Sequence, residues 1–414
     1  MKVCVFSVGC KVNQYECDMI GKAISAKGHQ VYDELCVADA YILNTCAVTA
    51  EAERKSRQLI ARVRKLNPDA KIYVMGCASQ HSAKEFTDKG ATYVTGVEMR
   101  ARLVEFEDLS NADVCTVSSE YEELYKGFSD SYASRRIREY VKVQDGCNRF
   151  CSYCLIPYLR GRSRSRHVES VLDEVNASKA PEIVITGIDL SSYDGAEGGL
   201  AGLIERLTNT DKRIRLGSLE VSVIDERLLS ACKNLKNFCP HFHLSLQSGS
   251  NSVLKSMNRH YTTDEFMNKV NLIRAYFKDV AITTDVIVGY PTETDENFIE
   301  SMTFVKSVNF ADIHVFPFSA RSGTKAYKLK RIAGDVMKSR VERMGEIKSA
   351  SVEGYLNAQI GNTRSVLIES VDNARGVGYS KNYVRVYVDG AKVGDVLDVR
   401  VKAKFKDGVI AEKE

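Results

Sequence analysis

The sequence predicts a mixed α/β protein in three parts: an N-terminal open parallel α/β sheet domain over residues 1–115, a central partial (β/α) barrel over 133–350, and a small antiparallel β-barrel over 351–414. Three observations predict it. Near the start, apolar β-branched runs alternate with helical patterns. Strand-then-helix units then repeat over about two hundred residues, the rhythm of an open or closed β/α barrel. Short strands separated by Asp and Gly turns finish the chain. A length of 414 residues suits two or three domains, and 44% hydrophobic with 27% charged residues is ordinary for a globular protein. No apolar run is long enough to span a bilayer, and MKVCVFSVGC is too short and polar-interrupted for a signal peptide, so it reads as a first strand. A net charge of +4 is too modest to announce a nucleic-acid partner, which leaves that inference to local clustering. Twelve cysteines without a secretion signal point to a reducing, cytoplasmic compartment, where thiols bind metals rather than form disulfides.

In the N-terminal part, VCVFSVGC, AYILNTC and KIYVMGC each read as a buried strand with a cysteine at its C-terminal end: Cys10, Cys46 and Cys77. Helical patterns at Gln14–Lys27 and Thr49–Leu66 lie between them, the second opened by Thr49 as N-cap with Glu51 and Glu53 in its first turn. In a parallel sheet the strand C-termini share one edge, where ligands bind, so the three cysteines converge there as candidate metal ligands. The alternative is three small buried core residues. No G-x-G-x-x-G follows the first strand, so a dinucleotide site is not supported. Cys4, Cys17, Cys36, Cys115, Cys232 and Cys239 share no pattern and are assigned to packing. Residues 116–136, polar and Ser-rich, suit an interdomain connection.

The central part opens on VQDGCNRFCSYCLIPYLRGRSRSRH, which sets Cys147, Cys151 and Cys154 at C-x3-C-x2-C. Three thiolates on one loop can wrap a compact metal centre and leave a coordination position open for something that reacts. A structural zinc loop is the alternative, but it would want a second cysteine or histidine pair, which is missing. Arg160, Arg162, Arg164 and Arg166 follow, cations suited to a carboxylate or phosphate. Five strands then precede polar or glycine residues at their C-terminal ends: Gly187 and Asp189, Ser218 and Glu220, Ser245 and Gln247, Asp285 and Gly289, Ser319 and Arg321. Chemistry in such barrels sits at those ends, so as a ring they read as a small-molecule pocket. Singly, each could equally be a loop or cap residue.

After an amphipathic stretch at Asp335–Leu356, the C-terminal part reads as short strands. Along a single strand, Tyr379, Lys381, Tyr383, Arg385 and Tyr387 would share one face while Val384, Val386 and Val388 point to the other. Aromatics interleaved with cations suit stacking on bases and neutralising phosphates. An ordinary tyrosine-rich exposed face explains the same pattern equally well.

Residues 143–166 resemble a radical S-adenosylmethionine enzyme. The resemblance implies that Cys147, Cys151 and Cys154 bind a 4Fe-4S cluster whose open iron takes the cofactor's amino and carboxylate groups, with Tyr153 as the family's aromatic before the last cysteine. Together with Cys10, Cys46, Cys77 and the motifs GCKVNQYE, NTCAVTAEAERKSRQ and GCASQ, the chain is similar nearly end to end to the methylthiotransferases. That implies a second 4Fe-4S cluster on the N-terminal triad, and a C-terminal TRAM-like RNA-binding barrel engaging RNA through Tyr379, Lys381, Tyr383 and Arg385. The motifs are most similar to the bacterial branch acting on N6-threonylcarbamoyladenosine beside the tRNA anticodon. One departure is GYPTET at 289–294, where relatives carry glycine after the proline. The resemblance implies S-adenosylmethionine contacts among Tyr153, Arg160, Gly187, Asp189, Ser218, Glu220, Ser245, Gln247 and Asp285, a tRNA partner, a low-potential electron donor, a monomer and no membrane. Hydrogen abstraction from C2 of adenine needs radical chemistry, since no side-chain base breaks that bond at neutral pH. Two rivals are methylthiolation of a ribosomal-protein aspartate and a non-catalytic iron-sulfur RNA-binding module.

Overall fold

A computed structural model describes residues 1–98, 103–105 and 136–414. Cys115 and nearly all of the expected connection lie outside them. The described residues divide into two compact units: one combines those of 1–105 with 144–166 and 319–327, the other 136–143, 167–318 and 328–414. The cysteine loop at 147–154 therefore belongs to the same unit as the N-terminal sheet.

That first unit is built on five strands, β1 (Lys2–Ser7), β2 (Gln30–Tyr32), β3 (Ala40–Thr45), β4 (Lys71–Gly76) and β5 (Tyr93–Val94), in the order β2-β1-β3-β4-β5. Every pairing is parallel, as the alternation of strand and helix requires. Because side chains alternate along a strand, Tyr41 and Leu43 join one core with Leu59, Ile60 and Val63 of the helix Ala50–Leu66. Ile42 joins another with Ile20 and Ile24 of the helix Lys11–Ala26. Both faces are covered, which is why β3 is buried throughout and reads as a continuous apolar run. Thr49 caps its helix as expected, its hydroxyl accepting from the Ala52 amide at 3.1 Å. The segment 319–327 is tied in by Arg321 Nη2, which donates to Glu53 at 2.7 Å, and by Ser319 Oγ, which accepts from the Ala50 amide at 3.0 Å. Strand β6 (Arg138–Asp145) ends in this unit, where Gln144 and Asp145 pair antiparallel with β7 (Arg164–Ser165).

In the second unit, β8 (Glu182–Gly187) lies between β6 and β9 (Arg213–Leu216). β10 (Ser218–Leu219), β11 (His241–Gln247), β12 (Ala281–Val288) and β13 (Asp312–Pro317) form a parallel set in that order. Ile183, Ile214, Phe242, Leu244, Ile282 and Ile313 share one core with Phe266, Val270, Ile273 and Phe298 of the covering helices. Helices Thr263–Tyr276 and Asp295–Val308 start at capping boxes, Thr262 with Glu265 and Thr294 with Asn297. The last strands, β14 (Thr363–Asp372), β15 (Arg375–Ser380), β16 (Arg385–Asp389), β17 (Val396–Phe405) and β18 (Gly408–Lys413), close into a barrel, β14-β15-β16-β18-β17. One pairing, β16 with β18, is parallel; the other four are antiparallel. Among the described residues no helix is long and apolar enough to cross a membrane.

Glu182, buried at the start of β8, gathers three arginines: Arg215 Nε at 2.7 Å, Arg213 Nε at 3.0 Å and Arg138 Nη1 at 3.8 Å. Burial pushes its carboxyl up, but the Arg215, Arg213 and Arg138 guanidiniums outweigh burial and hold it below the usual range. Arg213 and Arg215 also donate to the main-chain carbonyls of Tyr379, Ser380 and Lys381, joining the C-terminal barrel to the α/β sheet. Glu182→Gln leaves those cations buried without their counter-charge. We expect a loss of about 3–5 kcal/mol, read as a lower urea midpoint at unchanged slope; a change under about 1 kcal/mol would remove Glu182 from this role.

Candidate active site

The cysteine loop begins where β6 ends. Gly146 sits at φ +70°, and a Cβ there would lie 1.9 Å from the Arg162 carbonyl oxygen, so only glycine lets the loop double back on 161–163. Asp145 Oδ1 accepts the Gly146 amide at 2.8 Å, Gln144 Nε2 donates to the Gly146 carbonyl at 2.8 Å, and the Gly161 carbonyl accepts the Cys147 amide at 3.1 Å. Main-chain amides also aim at the sulfurs, Arg149 to Cys147 at 3.5 Å and Ile156 to Cys154 at 3.4 Å. Such donors stabilise a thiolate bound to a metal. Burial, joined by the charges of Cys151, Cys147 and Cys77, pushes the Cys154 thiol up to about 12.

The N-terminal triad follows the ends of β1, β3 and β4 as expected. Cys46 and Cys77 are buried and Cys10 is exposed. Burial and the charges of Cys77 and Cys10 push the Cys46 thiol up to about 12. A Cβ on Gly9, which sits at φ +132°, would lie 3.0 Å from Cys46 Sγ, so the turn before Cys10 can close beside that sulfur only as glycine. Polar neighbours lock the three loops together. Asn13 Nδ2 donates to the Thr45 carbonyl at 2.9 Å, Asn44 Nδ2 to Glu16 at 3.1 Å, Thr45 Oγ1 to the Met75 carbonyl at 2.7 Å, and the Ser79 amide to Thr45 Oγ1 at 3.2 Å. GCKVNQYE, NTC and GCASQ are thus one interlocked structure. Each triad offers thiols that must lose protons against burial and one another's charge. A multiply charged metal centre offsets that, and each triad counts three cysteines among the described residues, so the donor sets fit clusters with one iron open.

Arg160 ties the N-terminal triad to the end of β6, where the cysteine loop begins. Its side chain is fully buried, and its guanidinium meets Cys77 Sγ at 3.2 Å, Glu16 at 2.8 Å, Asp145 at 3.1 Å and Asn13 Oδ1 at 3.2 Å. Burial would lower its pKa; Cys77, Glu16 and Asp145 outweigh burial and keep it charged. This differs from the expectation that Arg160 reaches a cofactor, because its donors are directed into this network. Asn13 and Glu16, missed in the sequence, carried a signal: three residues apart, they share one helix face. Arg164 is likewise turned inward, donating to the Arg160 carbonyl at 2.6 Å. Tyr153 is half-buried on the loop, between Cys151 and Cys154.

The expected strand-end residues are more scattered. Ser319 and Arg321 belong to the first unit through Ala50 and Glu53. Gly187 ends β8, and Asp189 just beyond it accepts from Ser192 Oγ at 2.7 Å. Ser218 is exposed, while the buried Glu220 caps the next turn by accepting from the Ser222 amide at 3.3 Å. The Ser245 carbonyl accepts from Tyr261 at 2.7 Å, and Gln247 takes a left-handed φ of 67° at a register shift in β11. Asp285 is engaged by two histidines, His243 and His314, which the sequence reading did not single out.

The stretch 379–387 is a hairpin rather than one strand. β15 ends at Ser380, Tyr383 takes φ 64°, and Tyr379 pairs across with Arg385. The Ser380 hydroxyl accepts the Val384 amide at 2.9 Å and closes the turn. Tyr383 stacks on His241 at 4.2 Å and on Tyr379 at 4.8 Å, Lys381 donates to Asn237 at 3.0 Å, and Arg385 pairs with Asp407 at 2.8 Å. Exposed basic residues lie along β17, at Arg400, Lys402 and Lys404, with Lys406 in the turn just beyond it. Each has an acidic partner, Glu414, Glu412, Glu353 and Asp372 in turn.

The Radical SAM superfamily model matches residues 141–305, and the model described as Uncharacterized protein family UPF0004 matches residues 2–96. A Chlamydia pneumoniae protein named threonylcarbamoyladenosine tRNA methylthiotransferase MtaB is 37% identical over 418 residues, covering 98% of this chain and 96% of its own. A tRNA-2-methylthio-N(6)-dimethylallyladenosine synthase from Endomicrobium trichonymphae is 29% identical, covering 97% of both chains. Among solved structures, the radical S-adenosylmethionine methyltransferase TsrM from Kitasatospora setae, with cobalamin and a 4Fe-4S cluster bound, has a TM-score of 0.56 at 15% identity. The match covers 76% of this chain and 74% of that one, and it is a likeness of fold.

Gly146→Ala should prevent the loop from closing and cost the iron held by Cys147, Cys151 and Cys154, about half of the total if each triad holds one cluster. Iron and sulfide analysis of the purified protein checks it. Full iron content in the variant would show that the Gly146 to Arg162 approach is not required.

Proposed function

The chain belongs to the radical S-adenosylmethionine tRNA methylthiotransferases, and we propose that it inserts a methylthio group at C2 of N6-threonylcarbamoyladenosine beside the tRNA anticodon. The similarity to a relative bearing that substrate's name, nearly end to end at 37% identity, carries the reading over the dimethylallyladenosine branch at 29%. When bound, a cluster with an open iron would supply the electron that cleaves S-adenosylmethionine to methionine and a 5′-deoxyadenosyl radical, a second cluster would supply sulfur, and a second S-adenosylmethionine would supply the methyl group.

Under this reading Cys147, Cys151 and Cys154 hold the radical-generating centre, and Cys10, Cys46 and Cys77 hold the sulfur-donating one. Tyr153, Gly187, Asp189, Ser218, Glu220, Ser245 and Gln247 remain the candidate cofactor set, with Arg160 reassigned to positioning Cys77 and Asp285 turned instead to His243 and His314. Arg160 places a fixed positive charge 3.2 Å from Cys77 Sγ, favouring the thiolate that ligation requires. The amides of Arg149 and Ile156 do the same for Cys147 and Cys154. For tRNA, the row Arg400, Lys402, Lys404 and Lys406 is better placed than Tyr383, whose ring is covered on His241. Its exposed ion pairs hold these cations weakly, so phosphates can displace the carboxylates. The chain also calls for a low-potential electron donor, and we propose that it acts as a monomer.

Replacing Cys147, Cys151 and Cys154 together with alanine should abolish 5′-deoxyadenosine formation. Replacing Cys10, Cys46 and Cys77 should spare it and remove methylthio insertion. Insertion that survives in the second variant would overturn the division of labour. Nucleosides from tRNA of a deletion strain should lose 2-methylthio-N6-threonylcarbamoyladenosine by mass spectrometry and keep its dimethylallyl counterpart. The reverse loss, or loss only of a methylthiolated ribosomal-protein aspartate, would move the substrate elsewhere.

A further inference from the structure

Three adjacent parallel strands of the second unit bring together His243 on β11, Asp285 on β12 and His314 on β13. In register, Asp285 lies opposite His314, and His243 lies opposite Thr283, two residues before Asp285 on the same face. One ligand atom from each of the three lies within 4.8 Å of the others. His243 Nε2 is 3.2 Å from Asp285 Oδ2, and His314 Nδ1 is 3.1 Å from Asp285 Oδ1. These are the separations of neighbouring ligands around one ion at bond lengths of about 2.0–2.2 Å. The remaining ring nitrogens are oriented as well. His243 Nδ1 is 3.0 Å from Thr283 Oγ1, which also meets His241 Nε2 at 2.9 Å. His314 Nε2 faces Asp312 Oδ2 at 3.8 Å, and Asp312 is itself held by Lys348 at 3.5 Å. The hydroxyl behind His243 is the kind of partner that fixes ring and tautomer in metal-bound histidines, and the Asp312 carboxylate adds negative charge behind His314.

We propose that His243, Asp285 and His314 form a mononuclear site for a divalent first-row transition ion of the zinc or ferrous class. The donors are nitrogen and oxygen only, borderline ligands that suit such ions and differ from the thiolates of the two triads. Side-chain exposure rises from 9% at His243 to 27% at Asp285 and 50% at His314. The ion therefore enters from the His314 side, where water or a small ligand can complete its coordination. The strands supply rigidity, since the sheet fixes the backbone positions of all three residues. The inference is independent of which nucleoside or protein is methylthiolated.

The test uses full-length protein with both iron-sulfur centres reconstituted, incubated with Zn2+ alone and desalted. One zinc per chain should remain, with only nitrogen and oxygen neighbours in its X-ray absorption spectrum. His314→Gln, at a half-exposed position, and Asp285→Asn should abolish retention without changing iron content. Asp312→Asn, which removes only a supporting carboxylate, should weaken zinc affinity about 10- to 100-fold. No retained zinc, sulfur in its coordination shell, or retention unchanged in His314→Gln and Asp285→Asn would each overturn the proposal.

Discussion

The first unit depends on one buried cation. Arg160 has no solvent to fall back on, so every donor of its guanidinium must find an acceptor in the protein, and those acceptors come from three places in the chain: Asn13 and Glu16 on the helix after Cys10, Asp145 at the end of β6, and Cys77 just after β4. Removing one carboxylate from such a network leaves an uncompensated charge, at a cost of about 3–5 kcal/mol. The same charge faces the Cys77 sulfur. Packing of the N-terminal sheet, closure of the cysteine loop and readiness of a thiol to ligate are consequently a single electrostatic arrangement.

The second unit solves the inverse problem around Glu182, one carboxylate among three arginines. Two of those arginines continue to carbonyl oxygens of the 379–381 hairpin. The attachment of the C-terminal barrel thus uses main-chain acceptors, which any residue can provide. Stacking of Tyr383 on His241 adds the side-chain part of that join. The aromatic-and-basic pattern that reads as an RNA-facing strand is in good measure the adhesive between barrel and sheet.

Much of the fold was legible because its signals are local. β3 and β4 announce themselves as unbroken apolar runs ending before Cys46 and Cys77, and Thr49 with Glu51 and Glu53 marks a helix start. The cysteine spacing at 147–154 carries its own chemistry. What escaped is created by register or by a turn hidden in an alternating pattern. His243, Asp285 and His314 meet only because three strands align, with 29 residues separating Asp285 from His314. The 379–387 stretch alternates like a strand, yet it turns at Tyr383 in a left-handed conformation, and Ser380 and Asn382 just before it are the turn residues that mark the break. From its place after a metal loop Arg160 reads as facing a ligand; the fold turns it to Asn13 and Glu16 instead.

The segment 319–327 completes a unit that begins at residue 1, and the Arg321 to Glu53 contact spans 268 residues. During synthesis at about 5–20 residues per second, tens of seconds therefore pass between emergence of the first strands and of the segment that finishes their unit. Cys10, Cys46 and Cys77 are made early and wait through that interval without their full enclosure. For this chain, anything those three thiols come to hold gains its finished surroundings only once the returning segment has been made.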